Sequence, residues 1–113
     1  MAHFVLRGKG EIQDVINILT EGLTSFTSSH NHTITHDING AKFSLLILEK
    51  HFMRNNTRAT LTIAIHEMND ELQVDAVGSG GSSGVIFNFS LGANKELAES
   101  VVGILKPHGF EVI

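Results

Sequence analysis

Residues 32–48 read HTITHDINGAKFSLLIL, and this stretch decides the fold. Two segments rich in β-branched and apolar residues flank Asn39-Gly40, a dipeptide that accepts positive φ at both central positions of a two-residue turn. The sequence therefore predicts a tight antiparallel hairpin. Its predicted cross-strand pairs are Ile38–Ala41, His36–Phe43, Ile34–Leu45, His32–Ile47 and His30–Glu49.

The segments on either side of this hairpin alternate between helical and strand periodicity. Residues 12–26 carry apolar side chains at three- and four-residue steps, which predicts an amphipathic helix, and residues 95–106 predict a second helix capped by Asn94. Strands are predicted from alternation or apolar runs. They are residues 3–8, 32–38, 41–52, 57–68, 71–77 and 85–91, with 110–113 as a candidate last strand.

This order, β-α-β-β-β-β-β-α, predicts an α+β fold in a single domain over residues 1–113. Consecutive short turns, including Asn69-Asp70, favour a mostly antiparallel sheet of five or six strands. Two amphipathic helices need one apolar surface, so we expect both to pack on the same face of the sheet.

A two-residue turn at Asn55-Asn56 sets the register of the next hairpin in this prediction. It pairs Leu48 with Ile63, Leu46 with Ile65, and Leu45 with His66. The face under the helices then has its own set of residues. They are Leu46, Leu48, Phe52, Ala59, Leu61, Ile63, Ile65, Leu72, Val74 and Ala76.

The opposite face of the sheet combines histidines with an apolar patch. Its predicted interface or ligand-binding residues are Ile34, His36, Phe43, Leu45, Ile47 and His66. Exposed apolar patches ringed by polar groups mark interfaces or ligand grooves. We therefore expect this face to be covered, most simply by a second copy across a two-fold axis, which predicts a homodimer.

Composition excludes several classes of protein. The formal net charge is -4, so no basic footprint for nucleic acid is present. The chain has no cysteine, which excludes disulfides, thiol catalysis and cysteine-ligated zinc. It shows no signal peptide and no apolar run long enough for a membrane span, so we expect a cytoplasmic protein without a membrane partner.

A metal site is the alternative to a plain binding face. His30 and His32 are two residues apart on one strand, with Glu49 opposite and His51 next to Glu49 on the same side. Two imidazoles and a carboxylate are ligands that suit zinc or another divalent ion. A solvated polar edge and a pH-sensitive interface are the other interpretations of these histidines. No other cofactor is predicted.

The glycine- and serine-rich segment offers little chemistry. It contains Gly78, Ser79, Gly80, Gly81, Ser82, Ser83 and Gly84. A G-x-S-x-G match puts Ser82 in the position of a hydrolase nucleophile, but a strand rather than a helix is predicted to follow. An anion-binding backbone nest is a second interpretation, and a structural connection between two strands is the third.

Three short motifs resemble those of a small uncharacterised bacterial family, a domain of unknown function about as long as this chain. They are the first strand ending in Arg7-Gly8, the step LEKHF at residues 48–52, and GSGGSSGVIF before the last helix. The resemblance implies a bacterial, cytosolic setting and no known activity. Together with the composition it leads us to expect a non-enzymatic binding or interaction protein, with the metal-dependent protein as the alternative.

Overall fold

The computed structural model describes residues 2–23, 30–52, 57–80 and 97–113. It confirms the α+β class and the predicted order of strands and helices. The strands are β1 (Ala2–Gly8), β2 (His30–Ile38), β3 (Ala41–Phe52), β4 (Thr57–Met68), β5 (Glu71–Gly80) and β6 (Glu111–Val112). The helices are α1 (Ile12–Gly22) and α2, which covers residues 97–105 of the described chain.

The strands form one antiparallel sheet with the spatial order β2-β3-β4-β5-β1-β6. Strands β2 to β5 are consecutive hairpins, and β1 then pairs with β5 from the far end of the sequence. The predicted strand at residues 85–91 and the cap at Asn94 lie outside the described residues.

Two hairpins close through two-residue turns with positive φ. Asn39 and Gly40 have φ angles of 53° and 84°, and Asn69 and Asp70 have φ angles of 48° and 68°. Positive φ at both central residues matches the right-handed twist of the flanking strands. The carboxylate of Asp37 also accepts a hydrogen bond from the Gly40 N–H at 3.2 Å. The predicted β2–β3 register is confirmed at every pair.

The β3–β4 register differs from the prediction by two residues. Leu46 lies opposite Ile63 rather than Ile65, and the partner of His66 is Phe43 rather than Leu45. The two-residue turn at Asn55-Asn56 was wrong because the last pair is Phe52 with Thr57, which leaves four residues between the strands. Four-residue loops also close hairpins, so alternation alone does not separate the two registers. A shift of two residues keeps each side chain on its predicted face.

The core lies between the sheet and the two helices, on the predicted face. Helix α1 contacts β3 and β4. Phe110, after α2, covers Gly8 so closely that a Cβ there would lie 2.6 Å from the ring. The buried apolar residues that pack together as the core are Leu6, Ile12, Val15, Ile16, Leu19, Leu23, Leu46, Leu48, Ala59, Leu61, Ile63, Ile65, Leu72, Val74, Ala76, Leu97, Val101, Leu105 and Phe110. The side chain of Phe52, predicted for this face, lies outside the described residues.

The helices leave the other face of the sheet uncovered within the described ranges. We call this the open face, and it comprises the outward residues of β2, β3, β4, β5 and β1. Neither helix, as far as the structure describes the chain, combines the length and apolar composition that a membrane crossing needs.

Two isoleucines test this division into a buried and an open face. Ile63 is fully buried on β4, whereas Ile38 is 68% exposed at the end of β2. Ile63→Ala should lower the free energy of unfolding by about 2–5 kcal/mol, because it removes buried methyl groups and leaves a cavity. Ile38→Ala should change it by less than about 0.5 kcal/mol. Urea unfolding followed by circular dichroism measures both, and equal losses would contradict the assignment of the faces.

Candidate functional site on the open face

One row of side chains crosses the middle of the open face. The strand registers align its members directly, one from each of five neighbouring strands. From β2 to β1 they are Ile34, Leu45, Ala64, Asp75 and Val5. We call this the central row. Four of its members are apolar, and the carboxylate of Asp75 is the exception.

An apolar patch occupies the β2–β4 side of the open face. We define it by residues Ile34, Phe43, Leu45, Ile47 and Ala64. Each is partly buried rather than exposed, because neighbours on adjacent strands shield it. Beside the patch, the Phe43 ring meets the His66 ring edge-on, with centroids 6.1 Å apart and planes at 76°. The structure thus brings together the predicted interface residues, with exposed His36 at the margin.

A hydrogen-bonded cluster lies next to the patch around Asp75. His3 Nε2 on β1 is 2.8 Å from Asp75 Oδ1, and His66 Nε2 on β4 is 3.3 Å from Asp75 Oδ2. An ionised carboxylate only accepts hydrogen bonds, so each imidazole donates through Nε2–H. The Gln73 side chain also bonds to Asp75. We call His3, His66, Gln73 and Asp75 the Asp75 cluster.

Arg7 extends this network along β1. Its Nη2 donates to Gln73 Oε1 at 2.9 Å, which leaves the Gln73 amide N–H₂ to donate toward Asp75. Arg7 Nε also lies 3.8 Å from Glu71 Oε2. The positive charge of Arg7 is therefore balanced by the negative charge of Glu71. Counted together, these two side chains add no net charge to the Asp75 cluster.

Asp75 is held ionised by its partners. The side chain is only 22% exposed, and this desolvation alone would raise its pKa. Hydrogen bonds from His3, Gln73 and His66 outweigh it and lower the pKa below the ordinary value of 3.8. The histidines are more exposed, at 51% for His3 and 38% for His66. The cluster thus joins a negatively charged carboxylate to two accessible imidazoles.

The predicted metal ligands are only partly described. Backbone pairing confirms that His30 lies opposite Glu49, two residues from His32 along β2, with His51 two residues beyond Glu49 on β3. The side chains at 30, 32 and 51 are outside the described part, so this site stays a prediction. No group of three or more His, Asp or Glu side chains suits a metal ion within the described residues, the Asp75 cluster included.

The glycine- and serine-rich segment divides between a strand and residues that are not described. Gly78, Ser79 and Gly80 continue β5 and pair with β4 opposite Leu61, Thr60 and Ala59. The predicted segment therefore begins inside the sheet rather than in a loop. Residues Gly81, Ser82, Ser83 and Gly84 lie outside the described residues, and the anion-binding and nucleophile interpretations fall on them.

Two shallow hollows near the end of β1 share Arg7, Lys9 and Glu71. Their volumes are about 410 and 420 Å³. One adds Asp70 to this lining and the other adds His108. Both linings mix acidic and basic side chains, and Arg7 already bonds Gln73 and Glu71. Neither hollow therefore favours a ligand of one charge.

Sequence reasoning missed His3 and Asp75. The Asn69-Asp70 turn carries a signal for half of the cluster, because a two-residue turn there pairs His66 with Gln73 and brings Asp75 diagonally close. The pairing of β1 with β5 joins residues about seventy positions apart, and no local pattern indicates it.

The lowered pKa of Asp75 makes part of the folding free energy dependent on pH. This contribution is present above about pH 4 and is lost as the pH falls through the lowered pKa, since protonated Asp75 no longer accepts from both imidazoles. Asp75→Asn should therefore lower stability at pH 7 and flatten its decline between pH 5 and pH 3. Asp70→Asn, in an exposed turn, should keep the wild-type decline. Thermal melts across this range measure the slopes, and parallel slopes for Asp75→Asn and the wild type would contradict the assignment.

Comparison with known proteins identifies a family. Residues 1–109 match the model described as "Family of unknown function (DUF6054)". A search of curated proteins found no match. Since the matched range covers nearly the whole chain, the protein belongs to this family of unknown function, DUF6054.

Proposed function

We propose that this protein is a non-enzymatic binding protein whose open face pairs with a second copy of the chain. The observation that carries the proposal is the central row, which places Ile34, Leu45 and Ala64 side by side on the face away from the helices. An apolar patch of this kind, rimmed by polar groups, is typical of interaction sites.

The size of the open face suits a dimer. Five strands and four rows of side chains span about 24 Å by about 27 Å, or roughly 650 Å². Two copies would bury about 1,300 Å² in total, which is within the range of specific protein interfaces. Each copy would then carry its helices on the outside, giving a four-layer assembly with two sheets at its centre.

The direction of the two-fold axis follows from the distribution of polarity. An axis along the strands and through β4 would place β3 over β5 of the second copy, with Leu45 against the charged Asp75. An axis across the strands, along the central row, places each strand over its own copy. Leu45 then meets Leu45 of the second copy, and apolar surface covers apolar surface. We assign the pairing to this second arrangement, with the sheets in aligned packing.

Charge insertion into the patch tests the proposal. Leu45→Glu or Ile47→Glu should convert the dimer into a monomer, because pairing would bury an unpaired carboxylate. Ile113→Glu is the matched control, since Ile113 is 62% exposed beyond β6. Size exclusion with light scattering at pH 7, with and without chelator, gives the mass. A wild-type monomer, or a Leu45→Glu dimer, would overturn the proposal, and loss of the dimer with chelator would favour the metal-dependent alternative.

A single cysteine tests the axis itself, since the natural chain has none. Leu45→Cys should crosslink to a second copy with a bismaleimide that spans the ~10 Å between packed sheets. Asn17→Cys, on the exposed side of α1, should stay uncrosslinked at the same concentration. Crosslinking of Asn17→Cys instead would place the interface on the helices.

A further inference from the structure

The proposed pairing brings two Asp75 side chains toward each other. Asp75 belongs to the central row, and an axis along that row places it over its own copy. Its direct cross-strand neighbours are both apolar, Ala64 on β4 and Val5 on β1. Two carboxylates that meet in such surroundings repel each other and lose water. Pairing in this arrangement therefore requires that the negative charge of each Asp75 carboxylate is neutralised.

We propose that the Asp75 cluster is a proton-binding site that controls pairing, with the tightest dimer when each cluster holds one proton on His3 or His66. This inference rests on the proposed function and adds its regulation. Both imidazoles already donate hydrogen bonds to the Asp75 carboxylate, at 2.8 and 3.3 Å. The positive charge of a proton added to either imidazole is therefore balanced by the carboxylate at hydrogen-bond distance.

The charge of the cluster follows from its groups. With both imidazoles neutral the cluster carries one negative charge, with one protonated it is neutral, and with both protonated it carries one positive charge. Like charges face each other across the axis in the first and third states. Only the second state presents two neutral, hydrogen-bonded clusters, so affinity should fall on both sides of an intermediate pH.

Other charged groups near the cluster do not supply this behaviour. On β1 and β5, Arg7 and Glu71 form a pair without net charge, and Glu111 of β6 lies opposite Arg7. On β3, Glu49 lies four residues from Leu45 of the central row, and His36 on β2 lies three strands away from Asp75. The helices pack on the other face. Asp75 itself stays ionised above about pH 4, because its pKa is lowered. Histidine is the side chain whose ordinary titration lies between pH 5 and pH 8.

The test is the dimer dissociation constant by sedimentation equilibrium at pH 5.0, 6.5 and 8.5. The wild type should bind tightest at the middle value and at least about tenfold more weakly at each extreme, because a linked proton changes the dissociation constant by about tenfold for each pH unit beyond its titration. Asp75→Asn leaves a cluster that is neutral only without protons, so it should stay tight at pH 8.5 and weaken toward pH 5.0. His66→Gln leaves one carboxylate and one imidazole, so it should stay tight at pH 5.0 and weaken toward pH 8.5.

His108→Gln is the control for net charge, because His108 is an exposed histidine after α2 and lies on none of the strands of the open face. It should keep the wild-type profile. A dimer with a flat profile, or a profile that His108→Gln alters as much as His66→Gln, would overturn the inference and leave the pairing intact. A wild-type monomer at all three pH values would overturn the proposed function as well. If Asp75→Asn fails to fold, His66→Gln and His3→Gln still test the inference, because each should remove the weakening of the dimer that the wild type shows at pH 5.0.

Discussion

The structure depends on the strand register that its positive-φ turns impose. The two-residue turns at Asn39-Gly40 and Asn69-Asp70 fix which residues pair in the strands that they join. A shift of this register by one residue would exchange the two faces of the sheet. With the register set, alternate residues of β3, β4 and β5 point toward α1 and α2, and the remainder form the open face. The alternation of side chains along the strands thus determines both the core and the proposed interface.

The open face is neither a second core nor an ordinary polar surface. Its β3 residues are apolar on both sides of the strand, as in strands covered on both faces. A wholly apolar face would pair without regard to orientation and would aggregate. A hydrogen-bonded carboxylate in the central row opposes most such pairings, because few of them neutralise it. In this account Asp75 costs affinity and supplies specificity, as buried polar groups do in some coiled coils.

The features of the fold that depend on local sequence patterns could be predicted. Periodicity gave α1 and β4, and Asn-Gly gave the β2–β3 hairpin pair by pair. Both faces followed, because an error of two residues in the β3–β4 register does not alter them. Local sequence patterns did not indicate the long-range pairing of β1 with β5. This pairing brings His3 next to Asp75, which lies 72 residues later in the chain. The histidine-rich start of β2 predicts a metal site, whereas the described contacts bring together histidines from β1 and β4 that no short motif connects.

The central claim is that Leu45 of one copy contacts Leu45 and its neighbours in another. Isotope-filtered methyl NOE spectroscopy tests it most directly, on an equimolar mixture of labelled and unlabelled chains near pH 6.5. The account predicts intermolecular cross-peaks among the methyl groups of Ile34, Leu45 and Ile47. Intermolecular cross-peaks confined to other surfaces, or none in a sample of monomeric mass, 12.3 kDa, would contradict it.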